Sequence, residues 1–165
     1  VRTTNKLIAD FIHAGGDKIE FIDYIPMLLG ADGKPKSELY VDDKLHFSEA
    51  GYDVVTSAIR WQKEIKAIEA RYAKKTAPKA PIVFIGSSSI RRWETLAADF
   101  PDKPVLNHGF GGPEVFDSVN YAHRLVFPFQ PKQIVMYAGG NDLNAGKSPE
   151  RVFADFQAFV AKVHA

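Results

Sequence analysis

The sequence has no cysteine among its 165 residues. That excludes a thiol nucleophile, a disulfide framework and thiolate-bound zinc, while leaving reducing and oxidising compartments both open. An excess of charge of one sign is also lacking: 21 Lys plus Arg stand against 20 Asp plus Glu, a formal net charge of +1. No broad positive field results, so a nucleic-acid partner is not expected. Long hydrophobic runs are missing as well. No apolar stretch approaches the roughly 18 residues that a membrane span needs, and the opening VRTTNKLIADF mixes polar with apolar residues, unlike the continuous apolar segment of a signal peptide. The chain is expected to be soluble, either cytoplasmic or exported with a signal peptide removed. What is present is a 45% hydrophobic content, enough for the core of one domain on a chain too short for two. Its chemistry must come from oxygen and nitrogen groups.

Hydrophobic spacing orders the chain. Leu7, Ile8, Phe11 and Ile12 recur at helical intervals over residues 3 to 14, and Gly15-Gly16 offers a stop. Ile19 to Tyr24 reads as a short strand, and Ala31 to Lys36, rich in turn formers, as an exposed loop. Ser48 can cap a helix continuing through Trp61, Ile65, Ile68 and Tyr72, one stripe to set against a sheet. Lys74 to Pro81 is a connector. Ile82 to Ile85 predicts a strand, followed by a helix over Ile90 to Phe100; Val105 to Asn107 predicts a weaker strand, followed by a helix over 114 to 126. Ile134 to Tyr137 predicts a third strand, and Ser148 with Pro149 opens a last helix with Val152, Phe156, Phe159 and Val163 on its buried face. Alternation of this kind predicts an α/β fold, a three-layer sandwich whose mainly parallel sheet is covered on both faces.

Three of the predicted strands run into glycine-rich polar turns, and ligands of parallel sheets collect at the carboxyl ends of the strands. Ser87, Ser88, Ser89, Asn107, Gly112 and Asn141 are expected near that edge. A serine hydroxyl needs a base to take its proton, and the base needs a partner that fixes its tautomer. Asp43 and His46, three residues apart, can supply both from one turn, and the Ser88 and Gly112 amides with the Asn141 side chain can supply donors to an oxyanion. Each piece has a plainer reading. The serines can be a helix cap, Gly109 to Gly112 a tight turn or phosphate loop, and Gly139 to Asp142 a bare turn. His46 can be a surface histidine or a metal ligand, and Asp42-Asp43 a solvated pair. Only the combination gives nucleophile, base, orienting acid and oxyanion donors together.

The same segments resemble the four blocks of the SGNH hydrolases, also called GDSL esterases and lipases. GlySerSerSerIle at 86 to 90 resembles the nucleophile block, AsnHisGlyPheGlyGly at 107 to 112 the second, GlyGlyAsnAsp at 139 to 142 the third and AspLysLeuHis at 43 to 46 the last. The resemblance implies a flavodoxin-like sandwich, Ser88 as nucleophile, His46 as base and Asp43 as its orienting acid. It also implies an oxyanion hole of Ser88, Gly112 and Asn141, and no metal or cofactor. Ser87 stands where many members carry aspartate. The implied substrate is a small carboxylic ester, and the alternative on the same fold is a noncatalytic module that binds carbohydrate or another ligand. A nucleotide-binding loop at Gly109 to Gly112 is a weaker competitor.

Block order departs from the family. Residues 1–59 resemble its usual C-terminal part and residues 60–165 its usual N-terminal part, within what is expected to be a single circularly permuted domain. The family pattern also has a further strand, between the counterparts of the helix ending near His164 and the helix beginning near Thr3, and no segment of this sequence supplies it. Its neighbours, Ile134 to Tyr137 and Ile19 to Tyr24, can pair directly, a second copy can exchange a strand to form a homodimer, or the sequence can be a rearranged part of a longer protein. The last is the preferred expectation, because the flanking patterns are well kept and an unfilled strand position would leave buried peptide groups unpaired.

Overall fold

Among the described residues, strand and helix alternate in the second part of the chain. The computed structural model describes residues 2–14, 20–30, 32–73 and 76–164. By its internal packing the chain divides into two units, Val1–Ile59 and Arg60–Ala165. Among the described residues no helix is long and apolar enough to cross a membrane.

In the first unit, α1 (Arg2–Ala14) is the helix its spacing predicts, with Leu7 and Phe11 of the apolar stripe exposed; the predicted Gly15-Gly16 stop lies outside the described residues. Of the strand expected over Ile19 to Tyr24, none is formed among the described residues. Ile19 lies outside them, and residues 20–24 carry no strand and lead irregularly into α2 (Ile25–Leu28). Apolar alternation specifies a strand only where a neighbour accepts its backbone bonds. An antiparallel bridge between Leu29 and Pro35 closes the predicted loop, and a second between Tyr40 and Phe47 closes the turn that carries Asp43 and His46. Ser48 caps α3 (Glu49–Arg60), its hydroxyl accepting from the Gly51 amide at 3.3 Å. Met27, Leu28, Leu39, Val54 and Ala58 are buried.

The helix predicted to run from Ser48 through Tyr72 is interrupted at Trp61 and resumes as α4 (Gln62–Ala73). Trp61 is buried and meets Phe110 edge-on at 5.6 Å. Ile65 and Ile68 of α4 are fully buried, as the stripe requires. Three five-residue strands follow: β1 (Ile82–Gly86), β2 (Val105–Gly109) and β3 (Gln133–Tyr137). All are parallel, in the order β2-β1-β3. The helix predicted over Ile90 to Phe100 is two short helices, α5 (Ser88–Arg91) and α6 (Leu96–Asp99). The intervening residues turn Trp93 onto Phe84 and Phe100, and the Asp99 carboxylate accepts from both the Trp93 indole and the Thr95 hydroxyl. Phe84, Ile90 and Leu96 centre that core layer. Successive strand residues face opposite sides, so Val83 and Ile85, both fully buried, belong to the other face, where α7 (Val115–Leu125) packs on β1. The chain then passes β3, α8 (Gly140–Asn144) and α9 (Pro149–His164), which lies against α7.

The sheet is therefore α/β and parallel, but small and open. Among the described residues β3 has β1 on one side and no strand on the other. A cleft of about 700 Å³ lined by Ile134, Met136, Phe156, Phe159 and Val163 borders β3, and Tyr137 and Phe153 are exposed. At the other end of β1, Gly86 has φ +125°, and a Cβ there would stand 2.2 Å from the Tyr137 carbonyl oxygen. Gly86→Ala is expected to lower stability by about 1–3 kcal/mol through backbone strain and a displaced β3. Denaturant unfolding checks this, and an unchanged midpoint would show that the β1–β3 junction yields freely.

Candidate functional site

In the sheet register Gly86 is level with Gly109 and with Tyr137. The three strands thus finish at one edge, and the segments that leave them carry the predicted polar residues. Directly after β1, the Ser87 amide donates to the Tyr137 carbonyl at 2.9 Å, while its hydroxyl accepts from the Ser89 amide at 3.4 Å. Ser87 is accordingly the cap of α5. Ser88 is the first residue of that helix and half-buried; amides of a first helical turn lack an intrahelical acceptor, so its N–H is of the kind that can serve a ligand.

After β2 the chain passes Phe110 and Gly111 to the exposed Gly112. A Cβ on Gly112 would lie 3.8 Å from Asn141 Nδ2, which makes the Asn141 side chain the immediate neighbour of the Gly112 backbone. Asn141 Nδ2 donates to the Pro113 carbonyl at 2.9 Å. The structure thus brings Gly112 and Asn141 together, at the edge where Ser88 begins α5. Asn107 does not belong to this group. It lies within β2, opposite Phe84, and its side chain donates to the Ile90 and Trp93 carbonyls at 2.7 and 3.3 Å while accepting from the Gly109 amide. Its role is to pin α5 to β2.

In the first unit, Asp43 and His46 form one connected turn. Asp43 Oδ1 accepts from the amides of Leu45 and His46 at 2.8 and 3.0 Å, and Asp43 Oδ2 lies 2.6 Å from His46 Nδ1. The His46 hydrogen bond, aided by the two amides, holds the Asp43 carboxyl below its ordinary pKa. An ionised Asp43 beside Nδ1 favours the tautomer with its proton there, leaving Nε2 as the basic atom. Both side chains are exposed, at 72% for His46 and 48% for Asp43.

Several residues that sequence reasoning passed over hold the edge in shape. Glu64 of α4 accepts from the Gly111 amide and pairs with Arg91 at 3.1 Å, so Arg91 has a structural partner. Asp142, fully buried, accepts from the Val115 amide at 3.1 and 3.2 Å. Lys147 contacts Glu114, Asp155 and Asp142 at 2.7, 3.2 and 3.5 Å. Asp142 belongs to the GlyGlyAsnAsp segment, where its apolar flank was the available signal; Glu64 and Lys147 carry no local mark. These carboxylates also bear on the phosphate-loop reading. The start of α7 after Gly112 is taken up by Glu114 and Asp117, which form a capping box, and by Asp142. A phosphate there would meet negative charge in place of free amides. Compared with protein-family models and with curated proteins, the chain matches none of them significantly.

Proposed function

We propose that this protein is a serine esterase of SGNH type that hydrolyses small carboxylic esters through Ser88, His46 and Asp43. His46 Nε2 takes the Ser88 proton as Oγ attacks the ester carbonyl, and the Ser88 and Gly112 amides with Asn141 Nδ2 receive the negative charge on the carbonyl oxygen. Collapse of the tetrahedral intermediate breaks the bond to the alcohol oxygen, and His46 returns the proton to that leaving group. Water then attacks the acyl-Ser88 ester, again giving its proton to His46, and the carboxylic acid is released as Oγ regains a proton. Asp43 keeps Nδ1 protonated and stabilises the imidazolium in both halves.

One observation carries the reading. The Gly112 backbone and the Asn141 amide, 29 residues apart in sequence, are neighbours at the strand edge where a serine opens a helix. The preformed Asp43–His46 pair adds support, since a nucleophilic serine needs such a base. Purified protein should be treated with a fluorophosphonate and assayed on p-nitrophenyl acetate, butyrate and longer acyl esters. Hydrolysis is expected to stop in step with labelling, and peptide mapping should find the phosphonyl group on Ser88. Labelling of another residue, or hydrolysis that persists after Ser88 is blocked, would reject the assignment.

A further inference from the structure

We infer that Lys147 is a positioning residue for the oxyanion donors, acting through Asp142 and Glu114 to hold the Gly112 and Asn141 segments together; this rests on the esterase reading of those two donors. Three links join the stretch before α7 to α8. Asn141 Nδ2 bonds the Pro113 carbonyl, the Asp142 carboxylate takes the Val115 amide, and Lys147 bridges Asp142 to Glu114. Asp142 is adjacent to Asn141 in sequence and Val115 is three residues beyond Gly112, so any relative movement of Asp142 and Val115 is passed directly to the donors.

The ammonium is what makes this arrangement tenable. Asp142 has no exposed surface, and taking a carboxylate out of water is costly unless a paired charge and hydrogen-bond donors compensate. Burial alone would depress the Lys147 pKa, yet its contacts with Glu114 and Asp155 outweigh burial and hold it above its ordinary value. Without the cation, three carboxylates from α7, α8 and α9 would face one another, and α7 and α8 would be driven apart at the point where Gly112 meets Asn141. Asp155 has a second partner in Arg151 at 3.2 Å; the Asp142 carboxylate depends on Lys147 for its nearby positive charge among the described residues.

The test uses Lys147→Met, Lys147→Arg and Glu114→Gln in the whole protein, each alone and in an Asn141→Ala background. Because misplacing a stabilising group by about 1 Å costs roughly 100-fold, the smaller displacement in K147M is expected to lower kcat about tenfold with KM within about twofold. K147R should restore most of the loss by returning the charge. E114Q keeps an oxygen for the helix cap and loses the ion pair, so it should fall about threefold and serves if K147M does not fold. In the N141A background the K147M loss should shrink to about threefold or less, because one of the two donors it positions is already gone and only the Gly112 amide is left to misplace. The Asn141 side-chain amide resonances in a ¹⁵N–¹H spectrum should also move in K147M. A full tenfold loss repeated in the N141A background, or unmoved Asn141 resonances, overturns the inference. If the wild type fails to hydrolyse any ester and Ser88 takes no label, the esterase reading fails separately, and the Asn141 resonances still decide whether Lys147 sets that amide.

Discussion

On the proposed esterase mechanism, Asn141→Ala is expected to fold and bind substrate while its turnover falls by roughly 100- to 1,000-fold, the usual cost of about 2.7–4 kcal/mol for losing one oxyanion donor. The side chain is half-buried and makes one hydrogen bond, from Nδ2 to the Pro113 carbonyl. Removing that bond costs the fold about 1 kcal/mol, too little to unfold a domain. In the proposed mechanism the second hydrogen on Nδ2 meets the oxyanion, and negative charge on the carbonyl oxygen exists only once the tetrahedral intermediate forms. The loss must therefore appear in kcat with KM nearly unchanged. Asn141→Asp separates donor chemistry from shape: it has the same size but presents a carboxylate to the oxyanion, and it should be at least as impaired as the alanine variant. Steady-state kinetics on p-nitrophenyl acetate, with a melting curve for each variant, checks both. Normal turnover in folded N141A would remove Asn141 from the site and leave its proximity to Gly112 a matter of packing.

The elements legible in the sequence were those whose pattern is written locally. α4 shows Ile65 and Ile68 three residues apart, both sealed; β1 and β3 are short apolar runs bounded by polar turns; and α9 announces itself with Ser148, whose hydroxyl accepts from the Arg151 amide. Where the outcome depended on a distant partner, the pattern misled. Glu20 to Tyr24 has strand composition but forms no strand among the described residues, and the stretch after β1 breaks into α5 and α6, with Trp93 packed onto Phe84 and Phe100 between them. Polar roles divide in the same way. Asp43 and His46 were legible because their contact spans three residues, and the Ser87 cap because it spans two. The Glu64 bond to Gly111 spans 47 residues and the Asp142 bond to Val115 spans 27, so no spacing rule could have found them. Asn107, chosen for its place beside glycines, proved to be a clamp on α5: this half-buried side chain spends its amide hydrogens on the Ile90 and Trp93 carbonyls and not on a ligand.

Between pH 6.5 and about 4 the protein is expected to lose about 3 kcal/mol of stability through His108 alone, apart from what its carboxylates add. His108 lies in β2 with no exposed surface, between Tyr72 and Phe129, whose rings are centred 5.4 and 4.6 Å away. Its Nδ1 is 2.7 Å from the Leu125 carbonyl. A carbonyl only accepts, so Nδ1 carries a proton. Nε2 is buried with no hydrogen-bond partner among the described residues, and protonating it would place a charge between two aromatic rings. Burial lowers the His108 pKa to about 4, with the Leu125 bond opposing and the Arg71 charge assisting. The folded-state value is thus below the unfolded value near 6.5. As pH falls through 6.5 the unfolded chain gains a proton that the folded one refuses, and the difference grows until the folded ring is itself protonated near 4. The stabilisation is complete above pH 6.5, declines through that window and levels off below it. His123, lowered chiefly by burial, acts in the same sense. His108→Leu removes the titrating ring along with its Leu125 bond, so the variant should be less stable at pH 7.5, by about 1–3 kcal/mol for the unsatisfied carbonyl and changed packing. Its deficit should shrink or reverse toward pH 4, because carboxylate titration is common to both proteins and cancels. Urea unfolding of the two proteins at pH 7.5, 6, 5 and 4 measures this, and equal slopes would mean that His108 is charged, or solvated, in the folded state.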